Sequence, residues 1–348
     1  MKFSKATLAA AVGIAISLGV SSQATASVYA GSRLLIQNLE ITSSNTGTPP
    51  GSDIGSFTFT LANTATLNGV SDTSAGLSNS CGGSFGVPPG PNTCGADPAL
   101  DAAAANAPGS APVRGNNDFT FFGTSLNQYS NSDSIIYDAE LTGDATTRTA
   151  QIAEAELQTG VDALANSEIT SSTNLIFRFS VGGPQTTDLT INFEADPNLA
   201  VAIDQLNFLN GNVQANIAFS LTLSDSAGNT VSWSPQGDIA NSCTADFATC
   251  NELADSEDLN RNPSSGVNPI GISYSDDRFA GPNPDQGFTA FGVEILGIEA
   301  GDYTLALSGL TSVSVRQTQA VPVPGTLLLL GAGLVAVGAR RKAMGPLS

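Results

Sequence analysis

The 348-residue sequence contains no histidine, so it lacks the commonest general base and the commonest metal ligand in proteins. Ser-His-Asp and Cys-His catalytic arrangements are therefore excluded, as are histidine metal sites. No phosphate-binding G-x-x-x-x-G-K-[ST] loop and no dinucleotide-binding G-x-G-x-x-G motif occurs. We expect no catalytic residues, no cofactor and no metal, and we predict that the protein is not an enzyme.

Basic residues are scarce and unevenly placed. Five of the 12 lie near the two ends, at Lys2, Lys5, Arg340, Arg341 and Lys342, whereas all 31 acidic residues lie between them. The intervening chain has seven basic and 31 acidic residues, a net charge of −24, and it contains no lysine. A chain this acidic repels nucleic acid and has no residues from which to build a basic footprint. Nucleic acid is therefore excluded as a partner.

The N-terminus has the pattern of a secretory signal peptide. Two lysines precede an apolar segment at residues 6–20, and Ala24, Thr25 and Ala26 form a small-x-small cleavage site. The apolar segment is too short to span a bilayer. We predict that residues 1–26 are removed after Ala26 and that the mature chain lies outside the cytoplasm.

A long apolar segment followed by a cluster of cations lies near the C-terminus. Residues 321–339 carry no charge, and 19 residues are enough to cross a bilayer. The cations at residues 340–342 place that end on the cytoplasmic side by the positive-inside rule. A core strand or core helix would have no reason to end in a charge cluster close to the chain end. We predict a membrane-inserted tail over residues 321–342.

This tail resembles the PEP-CTERM sorting signal of Gram-negative bacteria that produce polysaccharides. It has the Pro-x-Pro turn, the Leu- and Gly-rich span and the terminal arginines in the same order, although Val323 replaces the Glu that gives the family its name. The residues assigned to the motif are Val321, Pro322, Val323, Pro324, Gly325, Thr326, Arg340 and Arg341. The resemblance implies processing by a membrane peptidase-transferase, the exosortase, after transient anchoring in the inner membrane.

Three strand-and-turn segments precede the tail in a fixed order, INFEADPNLAVAID at 191–204, ANIAFSLTLSDSAGNTVSWSPQG at 215–237 and AGDYTLALSGLTSV at 300–313. With them, the residues from 186 to the tail are similar to a group of exosortase-dependent surface proteins. The resemblance implies a protein of the cell surface or extracellular matrix, with a structural or adhesive role in biofilm or exopolysaccharide. Extracellular polysaccharide is then an expected partner beside the exosortase. The alternative is a carbohydrate-binding module or a glycan-active hydrolase on a β-sandwich, because glycoside hydrolysis needs only two suitably spaced carboxylates.

Residues 27–320 are predicted to form an all-β domain, an antiparallel β-sandwich with a long irregular N-terminal loop region, followed by the C-terminal hydrophobic helix. Apolar and polar residues alternate at 189–194 and 219–224, as in half-buried strands, and turn residues such as Asp196-Pro197-Asn198 separate the strands. Residues 68–117 are rich in Gly, Pro, Ser and Ala and are predicted to be a surface loop or insertion. Apolar residues at helical spacing predict a helix at 149–165.

Four cysteines, Cys81, Cys94, Cys243 and Cys250, lie in the predicted exported chain. An even number of cysteines outside the cytoplasm indicates disulfides. The simplest pairing is Cys81–Cys94 and Cys243–Cys250, because each pair then encloses its own loop. A four-thiolate zinc site is the alternative, but neither pair has the two-residue gap that such sites usually show.

Two further features are candidate ligand sites. The acidic loop at residues 255–262 does not fit an EF-hand, because the sixth and twelfth positions counted from Asp258 are Pro263 and Pro269. We therefore predict a solvated acidic loop rather than a calcium site. Trp233 is the single tryptophan, and we predict a core aromatic residue rather than a platform for a sugar ring.

Overall fold

The computed structural model describes 14 stretches of the chain. They are residues 27–44, 54–81, 99–106, 114–115, 117–123, 128–137, 147–158, 165–182, 186–203, 210–237, 240–262, 264–267, 273–276 and 287–318. All regular secondary structure in these residues is β-strand. The predicted all-β class is confirmed, whereas the predicted C-terminal helix lies outside the described residues.

The described residues form 16 strands. Those of the first half are β1 (Ser27–Ser43), β2 (Ile54–Leu67), β3 (Val70–Cys81), β4 (Ala99–Asn106), β5 (Tyr129–Tyr137), β6 (Thr147–Gln158), β7 (Ala165–Val181) and β8 (Thr187–Ile203). Those of the second half are β9 (Asn210–Asp225), β10 (Thr230–Trp233), β11 (Cys243–Ala245), β12 (Thr249–Asp255), β13 (Ser264–Val267), β14 (Ser273–Asp276), β15 (Thr289–Ile298) and β16 (Gly301–Thr318).

These strands form two eight-stranded antiparallel sheets that share one hydrophobic core. Sheet A has the order β12-β15-β8-β1-β6-β5-β4, with β14 also paired to β8. Sheet B has the order β11-β10-β9-β16-β7-β2-β3, with β13 also paired to β9. The first and last strands, β1 and β16, therefore lie in the interiors of sheets A and B. The arrangement is the predicted β-sandwich.

The core is built from the inward-facing residues of both sheets. The predicted alternation is confirmed, since the apolar residues of 189–194 and 219–224 are buried and the polar residues between them are not. The ring of Phe193 in sheet A stacks on Phe291, with centroids 5.1 Å apart, and meets Phe219 of sheet B at 4.9 Å. Removal of this apolar surface from water is the main force that holds the two sheets together.

The helix predicted at residues 149–165 is wrong, because β6 covers 147–158 and β7 starts at Ala165. Its apolar spacing has a different cause, which is that both faces of β6 are buried. Leu157 packs in the core, whereas Ile152 lies on the other face and is fully buried as well. A strand covered on both sides loses the alternation that marks half-buried strands.

The surface loop predicted at residues 68–117 is also wrong in part, because β3 and β4 lie within it. Both are edge strands of small and polar residues, so they give little hydrophobic signal. The turn between β2 and β3 is Asn68-Gly69, with φ of 51° and 79°. Asn-Gly is favoured in tight hairpins because both turn residues need positive φ. This dipeptide is the sequence signal that indicates the hairpin of β2 and β3.

The turn predicted at Asp196-Pro197-Asn198 does not occur, since β8 continues through it. Pro197 pairs with Leu34 of β1 on one side of the strand. On the other side, β15 pairs with β8 as far as Ala195, and β14 begins to pair at Ala200. The proline lies in the interval between these two partners, where a missing N–H breaks no ladder.

Both the start of β1 and the end of β16 lie at one end of the sandwich, called the base below. Ser27 pairs with the end of β6, and Thr318 pairs with the start of β9. The two sheets are in register across the core, because the hydroxyl of Ser32 in β1 donates to the carbonyl of Asn216 in β9 at 2.7 Å. The opposite end, the apex, carries the turn between β9 and β10 and the turn between β15 and β16.

Candidate functional site

The candidate functional site is the point at which β16 leaves sheet B and the predicted sorting tail begins. β16 pairs with β7 as far as Gln317 and with β9 as far as Thr318. Val315 and Gln317 are buried, so the last residues of β16 before the tail are held in the sheet. Two residues, Gln319 and Ala320, separate Thr318 from Val321.

The start of the domain is fixed in the same way. Ser27, the residue after the predicted signal-peptide cleavage, pairs with Gln158 and is 5% exposed. Val28 pairs with Ile203 on the other side of the strand and is fully buried. The first and last described strands thus begin directly after one predicted processing segment and end two residues before the other, and both of these ends lie at the base.

A buried ion pair lies on the outer face of sheet A, near the base. Arg114 and Glu154 of β6 form a salt bridge in which both side chains are 0% exposed. The guanidinium also donates to Asn131 of β5 at 3.0 Å and to the carbonyls of Asp118 and Thr120. The residues 117–123, called the strap below, are therefore fastened to the sheet through Arg114.

The carboxylate of Glu154 accepts three further hydrogen bonds. The donors are the backbone N–H of Phe122 at 3.1 Å, that of Gly123 at 2.9 Å and the hydroxyl of Tyr29 at 2.8 Å. Burial raises the pKa of the Glu154 carboxyl above its ordinary value, whereas Arg114 and these donors act in the opposite direction. Burial also raises the pKa of the Tyr129 hydroxyl, which donates to the carbonyl of Gly123.

Aromatic rings of the strap cover the backbone of β1 and the ion pair. A Cβ atom at Gly31 would lie 2.8 Å from the ring of Phe121, so only glycine allows that ring to approach. The guanidinium of Arg114 lies 4.3 Å from the ring centroid of Phe122. Because the charged groups are sealed from solvent, the cluster fastens the strap and does not offer its charges to a ligand.

With the ends of the domain in place, the tail can be compared with known families. A family model of the PEP-CTERM protein-sorting motif matches residues 320–342. The chain carries a PEP-CTERM sorting motif. This confirms the resemblance seen in the sequence, and the PEP-CTERM motif implies exosortase processing and sorting to the cell surface. No curated protein and no solved structure matches the chain.

The structure separates the predicted site residues into two groups. The PEP-CTERM residues Val321 to Thr326, Arg340 and Arg341 lie outside the described residues, as do Ala24 and Ala26 of the cleavage site and Cys94. Cys81 is the last residue of β3. In the part of the chain that the structure describes, no helix has the length and apolar character needed to cross a membrane.

The second predicted cysteine pair is present as a disulfide between Cys243 and Cys250, with Cα atoms 5.7 Å apart. It joins β11, the edge strand of sheet B, to β12, the edge strand of sheet A. Next to it, the carboxylate of Glu252 accepts from Trp233 at 2.7 Å and from Ser242. These five residues, called the clasp below, close one side of the sandwich.

Replacing both cysteines of the clasp by serine is expected to lower the free energy of unfolding by about 2.5 kcal/mol, the chain-entropy value for a loop of about eight residues. Urea denaturation of the purified protein measures this change. Ser226→Ala, in the exposed turn at the apex, serves as the control and should leave the midpoint unchanged. An unchanged midpoint in the double serine variant would show that the disulfide does not stabilise the folded chain.

The prediction that the acidic loop at residues 255–262 is simply solvated is wrong, because hydrogen bonds hold the loop in place. The carboxylate of Asp255 accepts from the backbone N–H groups of Gln236 and Gly237, at 2.8 and 2.9 Å. Asn260 donates to the carbonyl of Pro235, and Leu259 is fully buried. Among the described residues, no group of three or more His, Cys, Asp or Glu is placed to hold a metal ion. Asp255 and Asn260 hold the loop against the segment that follows β10.

Sequence reasoning missed the Arg114 cluster because its members lie in four separate segments, namely β1, the strap with Arg114, β5 and β6. One weak signal was available. Arg114 is one of only seven basic residues between the terminal segments, and it lies in a stretch otherwise free of basic residues from position 34 to 147. Trp233, by contrast, is fully buried at the end of β10, as predicted.

Proposed function

We propose that the protein is a non-enzymatic component of the extracellular matrix or outer surface of a Gram-negative bacterium. Residues 1–26 direct export, residues 321–342 anchor the chain transiently in the inner membrane, and the exosortase then releases the sandwich for display. The role of the sandwich is structural or adhesive, in biofilm or exopolysaccharide. The observation that carries this proposal is the PEP-CTERM motif placed directly after an interior strand of a closed β-domain.

The sandwich itself supports a scaffold role. Among the residues that the structure describes, the void lined by Phe193, Phe219 and Leu307 has a volume of about 10 Å³, which is too small for a substrate. Polar residues such as Asn192 and Ser220 cover the outer faces of the strands. Such acidic, polar faces interact weakly with glycans, cations or further copies of the chain.

Two epitopes placed in one chain test the sorting step. The first is inserted between Ala227 and Gly228 in the exposed apex turn, and the second follows Ser348. In cells that carry an exosortase, surface and matrix fractions are expected to contain the first epitope and to lack the second. A chain that ends at Ala320 lacks the tail. We expect it to stay inside the cell envelope or to pass into the medium, so the amount of the first epitope in the matrix fraction should fall at least tenfold.

Arg316→Ala is the matched control, because Arg316 is an exposed arginine of β16 that lies outside the motif. It should be sorted like the unaltered chain. Surface material that carries both epitopes would contradict processing of the tail. Release of reducing sugar from the host polysaccharide by the purified protein would contradict the non-enzymatic role and support a glycan-active hydrolase.

A further inference from the structure

We propose that the exosortase acts on an already folded sandwich whose base faces the membrane, and that the two-residue connector at Gln319 and Ala320 sets the spacing between them. This inference rests on the proposed function, since it assumes that the tail is processed. It concerns the order of two events, folding and cleavage, and the face of the domain that meets the membrane.

The first argument is the distance available to the enzyme. Thr318 is held in sheet B by pairing with Asn210, and Pro324 is six residues further along. A fully extended chain spans at most 3.3–3.6 Å per residue, so Pro324 lies no more than about 22 Å from the end of the sheet. An enzyme that cuts near the proline motif of a folded chain must therefore work close to the base.

The second argument is the common location of the two ends. Ser27 pairs with Gln158 and Thr318 pairs with Asn210, each in an interior strand of its own sheet. Both Ser27 and Thr318 lie at the base. Before either cut, the signal peptide and the tail would each tie that end of the sandwich to the membrane. A rigid domain tied at both ends through its base has to direct its apex away from the membrane.

The third argument is the place of β16 in the order of export. β16 is the last strand to be translocated, and it lies between β7 and β9. Until it is in place, both neighbours expose unpaired N–H and C=O groups along an open edge. The apolar tail stops the chain at the membrane at the moment when all strands have been exported. The tail thereby retains the chain while sheet B closes, and cleavage follows.

The test measures cleavage by pulse-chase labelling of the full chain in cells that carry the exosortase. Deleting Thr318 and Gln319, which leaves residues 320–342 of the motif intact, is expected to slow cleavage at least tenfold, because the folded base then blocks access to the motif. Replacing Gln319 by glycine keeps both the length and the motif and is expected to leave the rate within twofold of the unaltered chain. Ten Gly/Ser residues inserted between Gln319 and Ala320 should also leave the rate unchanged or raise it.

Each outcome bears on the inference. A deletion variant that is cleaved at the normal rate would show that cleavage precedes folding, and would overturn it. Slow cleavage in the Gln319→Gly variant would show that the enzyme reads this side chain, and would overturn the role of spacing. Absence of cleavage in the unaltered chain would instead overturn the proposed function.

Discussion

Arg114→Met is expected to lower the free energy of unfolding by about 3–5 kcal/mol, because it leaves the Glu154 carboxylate buried without its cation. Glu154→Gln should have a similar cost, since it leaves the guanidinium uncompensated. The strap should detach first in either variant, because its hydrogen bonds end on these two side chains. Urea denaturation followed by far-UV circular dichroism gives the free energy, and limited proteolysis within residues 117–123 reports the release of the strap.

The double variant, R114M with E154Q, separates the ion pair from the mere loss of side-chain volume. With neither charge left in the sheet, it is expected to recover at least half of the loss seen in the single variants, because the introduced amide oxygen can still accept from one of the two backbone N–H groups, that of Phe122 or that of Gly123. Arg261→Met is the matched control. Arg261 and Asp258 are 3.9 Å apart and partly exposed, so the expected loss is below about 1 kcal/mol. A double variant as unstable as the single ones would contradict the electrostatic explanation.

Trp233→Ala is expected to cost about 3–5 kcal/mol, the range for truncation of a large buried aromatic side chain. The indole is fully buried, its ring centroid lies 6.0 Å from that of Phe193, and its N–H donates to Glu252 in the clasp. The substitution removes core volume and also removes the hydrogen bond between Trp233 of sheet B and Glu252 of sheet A. Urea denaturation followed by circular dichroism measures it, because the variant has no tryptophan fluorescence.

Two further variants separate the contribution of the buried ring from that of the hydrogen bond. Trp233→Phe keeps most of the apolar ring and removes the donor, so the expected loss is about 1–2 kcal/mol. Phe288→Ala is the control, since Phe288 is 39% exposed and its removal should cost less than about 1 kcal/mol. If Trp233→Ala were no worse than Phe288→Ala, the indole would lie outside the core, and a role as a sugar platform would return.

Where only one face of a strand is buried, the sequence predicts the fold well. Residues 189–194 of β8 and 219–224 of β9 show the alternation of apolar and polar residues that a sandwich requires, and the burial of these residues follows it. β6 departs from that pattern, because Ile152 and Glu154 on its outer face are buried as well, and the strap bonds to Glu154 there. The strap lies about 30 residues earlier in the chain, so no local window could show this contact.

The candidate sites differ in the same way. The PEP-CTERM motif is a linear pattern of prolines, apolar residues and arginines within 23 residues, and it can be read without knowledge of the fold. The disulfide Cys243–Cys250 also closes a short local loop. The ion pair of Arg114 and Glu154 depends on the pairing of β1, β5 and β6. Long-range strand pairing is not visible in one sequence, so this cluster could not be predicted.

The position of β16 has a mechanical consequence for a chain held at its C-terminal end. Both neighbours pair with this strand along nearly its full length, and inter-strand hydrogen bonds lie perpendicular to the strands. A pulling force applied at Thr318 runs parallel to the strand, so it loads the two ladders in shear and all their bonds share the tension. β1 has the same arrangement in sheet A. The sandwich is therefore built to bear traction at either end without unzipping one bond at a time.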